Sequence, residues 1–137
     1  MKSIMEQDKQ REAQSLYMEL QMLEAQSQEG QRQLNALKGA REEIDSATAA
    51  IEGTAASGKK MFPVGAGAYL PATTQGDKVL IELGAGVVAE KTREEAKKIL
   101  ANRAARIDEA LKKIGDELNR ISSKAEAAAG KLEKLRQ

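Results

Sequence analysis

The sequence predicts a mainly α fold: a long antiparallel coiled-coil hairpin with two β-hairpins at its centre. Three observations carry this expectation. Residues 3–52 and 93–136 contain no proline and are dominated by Ala, Glu, Lys, Gln, Arg and Leu, the composition of long helices. Both prolines and seven of the eleven glycines fall between them. In that centre, two Gly-Ala-Gly triplets, at 65–67 and 84–86, are each flanked by short β-rich runs. A length of 137 residues suits one domain, 1–137. It divides into a first coiled-coil helix at 3–52, a β-hairpin oligomerisation segment at 53–92 and a second coiled-coil helix at 93–136.

The first helix opens on a capping box, Ser3 and Glu6, in which side chains satisfy backbone N–H groups that the first turn leaves unpaired. A spacing of three and four then recurs: Ala13, Leu16, Leu20, Leu23, Ser27, Gly30, Leu34, Leu37, Arg41, Ile44, Thr48 and Ile51, with Ser27, Gly30, Arg41 and Thr48 its weak positions. That period is a coiled-coil seam. Gly53 is expected to supply the C-cap. A second capping box, Thr92 and Glu95, starts the last helix, whose seam is Leu100, Ala104, Ile107, Leu111, Ile114, Leu118, Ile121, Ala125, Ala128, Leu132 and Leu135.

Folding the helices back on each other pairs positions whose numbers sum to about 144–145. Leu16 then meets Ala128, Leu23 meets Ile121, Ser27 meets Leu118, Gly30 meets Ile114 and Arg41 meets Ala104. Small faces large at six of ten such layers, which is what close packing asks of a shared seam. A parallel dimer would instead stack Gly30 on Gly30. The antiparallel arrangement brings Ile4 and Met5 near Leu132 and Leu135 at the end remote from the β segment.

In the centre, Met61–Val64 pairs with Ala68–Pro71, and Lys78–Leu83 with Val87–Glu90, each around a three-residue Gly-Ala-Gly loop. Pro63 and Pro71 lack an N–H, so the first hairpin belongs at a sheet edge. Thr73–Asp77 is a polar turn between the hairpins. Isolated hairpins are marginal in water, and four short strands leave open edges. The β segment is therefore expected to associate with other subunits through Phe62, Val64, Tyr69, Leu70, Val79, Ile81, Leu83, Val87 and Val88.

Composition removes whole classes of function. Histidine and cysteine are absent, so the commonest general base, the commonest metal ligand, disulfides and thiolate chemistry are excluded. Neither Gly-Ala-Gly loop extends to a phosphate-binding Gly-x-Gly-x-x-Gly, and Gly58-Lys59-Lys60 lacks the flanks of a P-loop. The acidic pairs Glu42-Glu43 and Glu94-Glu95 read as solvated helix surface and as helix N-terminal charge. No enzyme, cofactor or metal site is expected. Lys and Arg number 22 against 21 Asp and Glu, and this balance argues against nucleic acid or an anionic membrane as partner. No apolar window reaches the roughly 18 residues of a membrane span, and Met1–Asp8 has no apolar leader core. A cytoplasmic protein is expected.

Residues Phe62–Tyr69 and Val79–Lys91, followed by Glu95-Ala96, resemble the α class of archaeal prefoldin subunits, and the resemblance covers essentially the whole chain. Two hairpins between the helices match that class, because the β class has one. The resemblance implies a hetero-hexamer of two α-type and four β-type subunits. Their hairpins would assemble into an intersubunit β-barrel from which six coiled coils hang. It also implies an ATP-independent chaperone, a holdase, whose coiled-coil tips bind non-native polypeptides and pass them to a group II chaperonin. Tip geometry together with this resemblance points to Ile4, Met5, Leu132, Leu135, Met18 and Met22 as client-binding residues. The competing expectation is a structural coiled-coil scaffold or filament-forming subunit.

Overall fold

The computed structural model describes residues 3–54 and 58–137. Six elements follow in order: helix α1 (Ile4–Gly53), strands β1 (Lys59–Gly65), β2 (Ala68–Thr73), β3 (Lys78–Gly84) and β4 (Val87–Thr92), and helix α2 (Arg93–Leu135). Mainly α with two central antiparallel hairpins is thus the architecture. By packing, the chain forms two units, one of Met1–Lys38 with Glu109–Gln137 and one of Gly39–Asp108.

In the first unit, α1 begins as the Ser3 cap dictates: the Glu6 N–H donates to Ser3 Oγ at 3.2 Å. Leu16, Ala128 and Leu132 form a buried cluster, with Ala13, Leu20 and Leu135 packed against it. Leu23 and Ile121 are also buried. Leu16 thus meets Ala128 and Leu132, while Gly30 meets Leu118. Residue numbers rise along one helix as they fall along the other, so the pair is antiparallel.

In the second unit the helices are again antiparallel, with Arg41 Nε bonded to Asp108 Oδ1 at 3.0 Å and Arg93 bonded to the end of α1. Arg41 stands on the expected seam, but its guanidinium turns out to Asp108 and Asp45 instead of inserting opposite Ala104. Ala96, Leu100 and Ala104 are the buried face of α2 here, and Ile81 is the one buried strand residue.

The α1 terminus is built differently from expectation. Gly53 keeps a helical backbone and is not the cap. Thr54 Oγ donates to the Ala50 carbonyl at 2.7 Å, and Arg93 bonds the Ile51 carbonyl. Arg93 is 9% exposed, and its guanidinium donates to the carbonyls of Ile51, Thr54 and Gly76 and to Thr54 Oγ. Its backbone N–H donates to Asp77 Oδ1 at 3.3 Å. A cation at a helix C-terminus meets both the unpaired carbonyls and the negative end of the helix dipole. One arginine at the first position of α2 therefore ties together the end of α1, the turn before β3 and the start of α2.

The hairpins also refine expectation. Gly65 and Gly84 belong to their strands, and the turns are the two-residue pairs Ala66-Gly67 and Ala85-Gly86. Between Pro63↔Tyr69 and Gly65↔Ala68 the register slips by one residue, and the same slip separates Glu82↔Val88 from Gly84↔Val87. Each hairpin thus carries a one-residue bulge next to a turn with both central residues at positive φ, the turn that matches strand twist. Ala66 and Ala85, at φ 50° and 51°, hold a conformation that costs an L-residue roughly 1–2 kcal/mol. The two hairpins form separate two-stranded sheets, so every strand is an edge. Pro63 and Pro71 are tolerated on that account.

The α2 capping box forms in full: Thr92 N–H donates to Glu95 Oε1 at 3.2 Å and Glu95 N–H to Thr92 Oγ at 3.1 Å. The Thr92 backbone hydrogen bond, reinforced by its side chain, holds the Glu95 carboxyl below the usual carboxylate range.

Two expectations follow. Arg93→Ala should lower stability by about 2–4 kcal/mol, since several charge-assisted bonds are lost at once. Arg93→Lys should restore less than half of that, because an ammonium cannot span the same acceptors. Denaturant titration at fixed protein concentration measures both, and a loss below about 0.5 kcal/mol for the alanine variant contradicts the latch. For Glu95, a depressed folded pKa means its contribution is complete above the unfolded value of about 4.3 and fades as pH falls through the lower folded value. The stability of Glu95→Gln should accordingly change less than wild type between pH 5 and 3; parallel pH profiles would exclude the effect.

Candidate functional site

At the free end of the first unit, Ala13 packs beside Leu132 and Leu135, so α2 ends opposite the second and third turns of α1. The first turn of α1 has no helix beside it among the described residues. Ile4 and Met5 are consequently 77% and 74% exposed. Met18 and Met22 lie four residues apart and share a face of α1 away from the seam. Both are mostly exposed, at 65% and 56%, although Met22 also borders a groove that α2 shares. Tyr17 flanks the seam, and its hydroxyl accepts a hydrogen bond from Arg136 Nη2 at 2.7 Å.

Leu132 and Leu135 differ from the other four residues assigned to this end. Leu132 is only 7% exposed, set between Leu16 and Ala128. It therefore supports the surface from beneath and is not part of it. Leu135 is half-buried against the same cluster. The structure thus brings Ile4, Met5, Met18 and Met22 to the outside of one unit and keeps Leu132 inside.

Below this end the seam thins. Leu118, expected opposite Ser27, lies over Gly30: a Cβ placed on Gly30 would stand 2.8 Å from Leu118 Cδ2. Because Ser27, Gly30 and Ala125 are small, open grooves flank this stretch. One, of about 480 Å³, has Met22, Ala25, Ile114, Leu118 and Ile121 among its lining. The other, of about 490 Å³, has Leu20, Leu23, Ser27, Ile121 and Ala125. Glu29, at the rim of the first, is already paired with Arg32, whose hydrogen bonds hold its carboxyl below the ordinary range.

The second unit holds the residues expected at subunit contacts. Val64, Tyr69, Leu70, Leu83, Val87 and Val88 are exposed, as are Met61 and Leu80. Phe62 and Val79 are half-buried. Ile81 is buried within its own unit, so it braces the second hairpin and does not face outward. The edge of β3 is partly taken by α2, since Arg103 donates to the Glu82 carbonyl. Sequence reasoning missed this contact, the Arg93 latch and the Tyr17–Arg136 bond. An arginine directly after the Thr92 cap, inside the Thr-x-x-Glu box, was the one available signal for the latch.

Among the described residues, no group of three or more acidic, His or Cys side chains could hold a metal, and no helix is long and apolar enough to cross a membrane. The geometry offers apolar surface and strand edges, which are binding features.

Comparison with known proteins agrees with this. The family model for prefoldin subunits matches residues 23–137. Prefoldin subunit alpha of Methanothrix thermoacetophila is 33% identical over 112 residues, spanning 79% of this chain and 73% of that protein. The corresponding subunit of Methanosarcina barkeri is 32% identical over 133 residues, spanning 87% of this chain and 92% of that one. A cryo-EM structure of filamentous PFD from Methanocaldococcus jannaschii superposes with a TM-score of 0.70 over 84% of this chain and 98% of its own, at 18% identity, a likeness of fold. The chain belongs to the prefoldin family, whose members are chaperone subunits that act within a prefoldin complex. Within that family its likeness is to the archaeal α subunits, as its paired hairpins imply.

The close approach of Leu118 to Gly30 is open to a double-mutant cycle. Gly30→Ala gains helix propensity of about 1 kcal/mol but must displace Leu118 Cδ2, so it should be near neutral alone. In a Leu118→Ala background the same change should stabilise by about 1 kcal/mol. Equal effects in both backgrounds would show that the contact does not matter.

Proposed function

We propose that this chain is a subunit of an ATP-independent holdase that captures non-native polypeptide on the free end of its helix pair. The observation that carries the reading is the set of large apolar groups held in water there: Ile4, Met5, Met18 and Met22. Exposed apolar surface of this kind marks a binding site. Methionine, unbranched and polarizable, conforms to partners of varied shape. Without a nucleotide-binding loop, capture and release run on binding equilibria alone.

In this reading the open strand edges and the exposed residues Val64, Tyr69, Leu70, Leu83, Val87 and Val88, with Phe62 and Val79 behind them, join the hairpins to those of neighbouring subunits. The assembly is a cytoplasmic hetero-hexamer of two such subunits with four of the β class, closed through an intersubunit β-barrel. Bound clients pass from it to a group II chaperonin. A filament-forming scaffold is the second reading, favoured by the same edges, since strand pairing that does not close on itself propagates.

Light scattering of a chemically unfolded protein diluted into the purified complex tests the first reading. Replacing Ile4, Met5, Met18 and Met22 together by Gln leaves the buried cluster untouched, so helix content and assembly size should be retained while protection falls at least several-fold. Full protection by an intact variant assembly would reject capture at this surface. Electron microscopy of the same samples separates closed particles from filaments.

A further inference from the structure

The groove at the extreme free end differs in charge from those beside the thin seam. Its floor is apolar, made by Ala13, Leu132 and Leu135, and its volume of about 200 Å³ suits one large apolar side chain. Tyr17 forms a wall. Lys9 and Gln10 from α1 and Arg136 just past the end of α2 complete the lining, and no carboxylate is part of it. Among the described residues, neither cation has a carboxylate within ion-pair distance. Glu133 acts on Arg136 from outside the groove. The bond to the Tyr17 hydroxyl uses one of the five guanidinium N–H donors and fixes the planar group at the mouth. The larger groove beside Gly30 lacks this bias, because its rim glutamates Glu29 and Glu117 are each paired with an arginine one turn on.

We infer that this end groove selects polypeptide segments in which a large apolar residue is followed or preceded closely by a carboxylate, the apolar group entering between Leu132 and Tyr17 and the carboxylate meeting Arg136 and Lys9. The inference rests on the holdase reading and adds a sign to it: among equally apolar segments, the acidic ones are held preferentially. An apolar floor gives affinity without direction, whereas two unpaired cations at one mouth discriminate by charge. Planar guanidinium and carboxylate match two hydrogen bonds at a time, which a lysine alone would not provide.

Fluorescence anisotropy with three labelled twelve-residue peptides tests this. The peptides share the same leucines and phenylalanines, with Glu, Gln or Lys in the intervening positions. The full chain in its assembled state should bind the Glu peptide about three- to tenfold more tightly than the Lys peptide at low salt, as expected for two solvent-exposed ion pairs. The gap should close in 0.5 M salt. Lys9→Gln with Arg136→Gln should abolish the preference and leave the Gln peptide bound as before. Tyr17→Phe, which frees the guanidinium, should weaken the preference without removing it. Equal binding of all three peptides, or a preference for Lys, overturns the inference and leaves the holdase reading standing. A preference that persists in the double variant also overturns it, because its source then lies elsewhere. Failure to bind any of the three defeats both.

Discussion

Neither helix can bury its apolar stripe by itself, and everything else in the molecule is arranged around that. A helix surrounded by water keeps little of its structure from propensity alone, so a 50-residue α1 needs a partner along its stripe. The twelve seam positions of α1 and the eleven of α2 are all buried or half-buried, whereas most other positions of both helices are exposed. Leucine and isoleucine supply the burial, at roughly 1.5–3 kcal/mol for each side chain fully withdrawn from water. Alanine, serine and glycine let the backbones approach where a large group on the other side fills the space. The Gly30–Leu118 contact is the clearest case.

An antiparallel pair demands a connection that reverses the chain, and this one does so with a segment that has no core of its own. The strain is visible at Ala66 and Ala85, held at positive φ by two-residue turns that glycine or asparagine would accept more easily. The compensation is local. Arg93 closes the open carbonyls of α1, Asp77 and Thr92 cap α2, and Arg103 steadies β3. Arg93, Asp77 and Thr92 act where one element ends and another begins, the places where backbone groups lack partners. The exposed valines and leucines of the hairpins remain uncovered by any other described part of the chain.

The sequence was legible where one rule acts alone. Heptad spacing located the shared seam apart from Arg41 and the buried Ala96, and the Ser3 and Thr92 side chains capped their helices as written, because a side chain and a backbone N–H three residues apart have few alternatives. Legibility failed where two rules compete. Gly53 looks like a C-cap, but a guanidinium forty residues away in the chain does that work, and no local pattern reveals a distant donor. Gly65 and Gly84 look like loop residues, yet a bulge keeps them in the strand. Leu132 counts both as a seam residue and as a tip residue, and its place opposite Leu16 buries it in the first role. Arg41 occupies a seam position by count and leaves it for Asp108, since a guanidinium has nothing to bond inside an apolar seam. At the candidate site the identities were readable and the inside-outside division was not, because it depends on where α2 stops.

That division bears on what the exposed groups are for. Met18 and Met22 stand outside the apolar stripe of α1, and turning them inward would expel Leu16, Leu20 and Leu23. Ile4 and Met5 precede the first residue that α2 can reach. Their exposure is therefore set by the same geometry that stabilises the fold, and substituting them with polar residues would cost the seam nothing. A chain whose composition is otherwise that of a well-solvated helix has kept four large apolar groups where they add only a risk of association. That surface is apolar, adaptable and independent of the fold's own stability, which is what the capture reading requires of it.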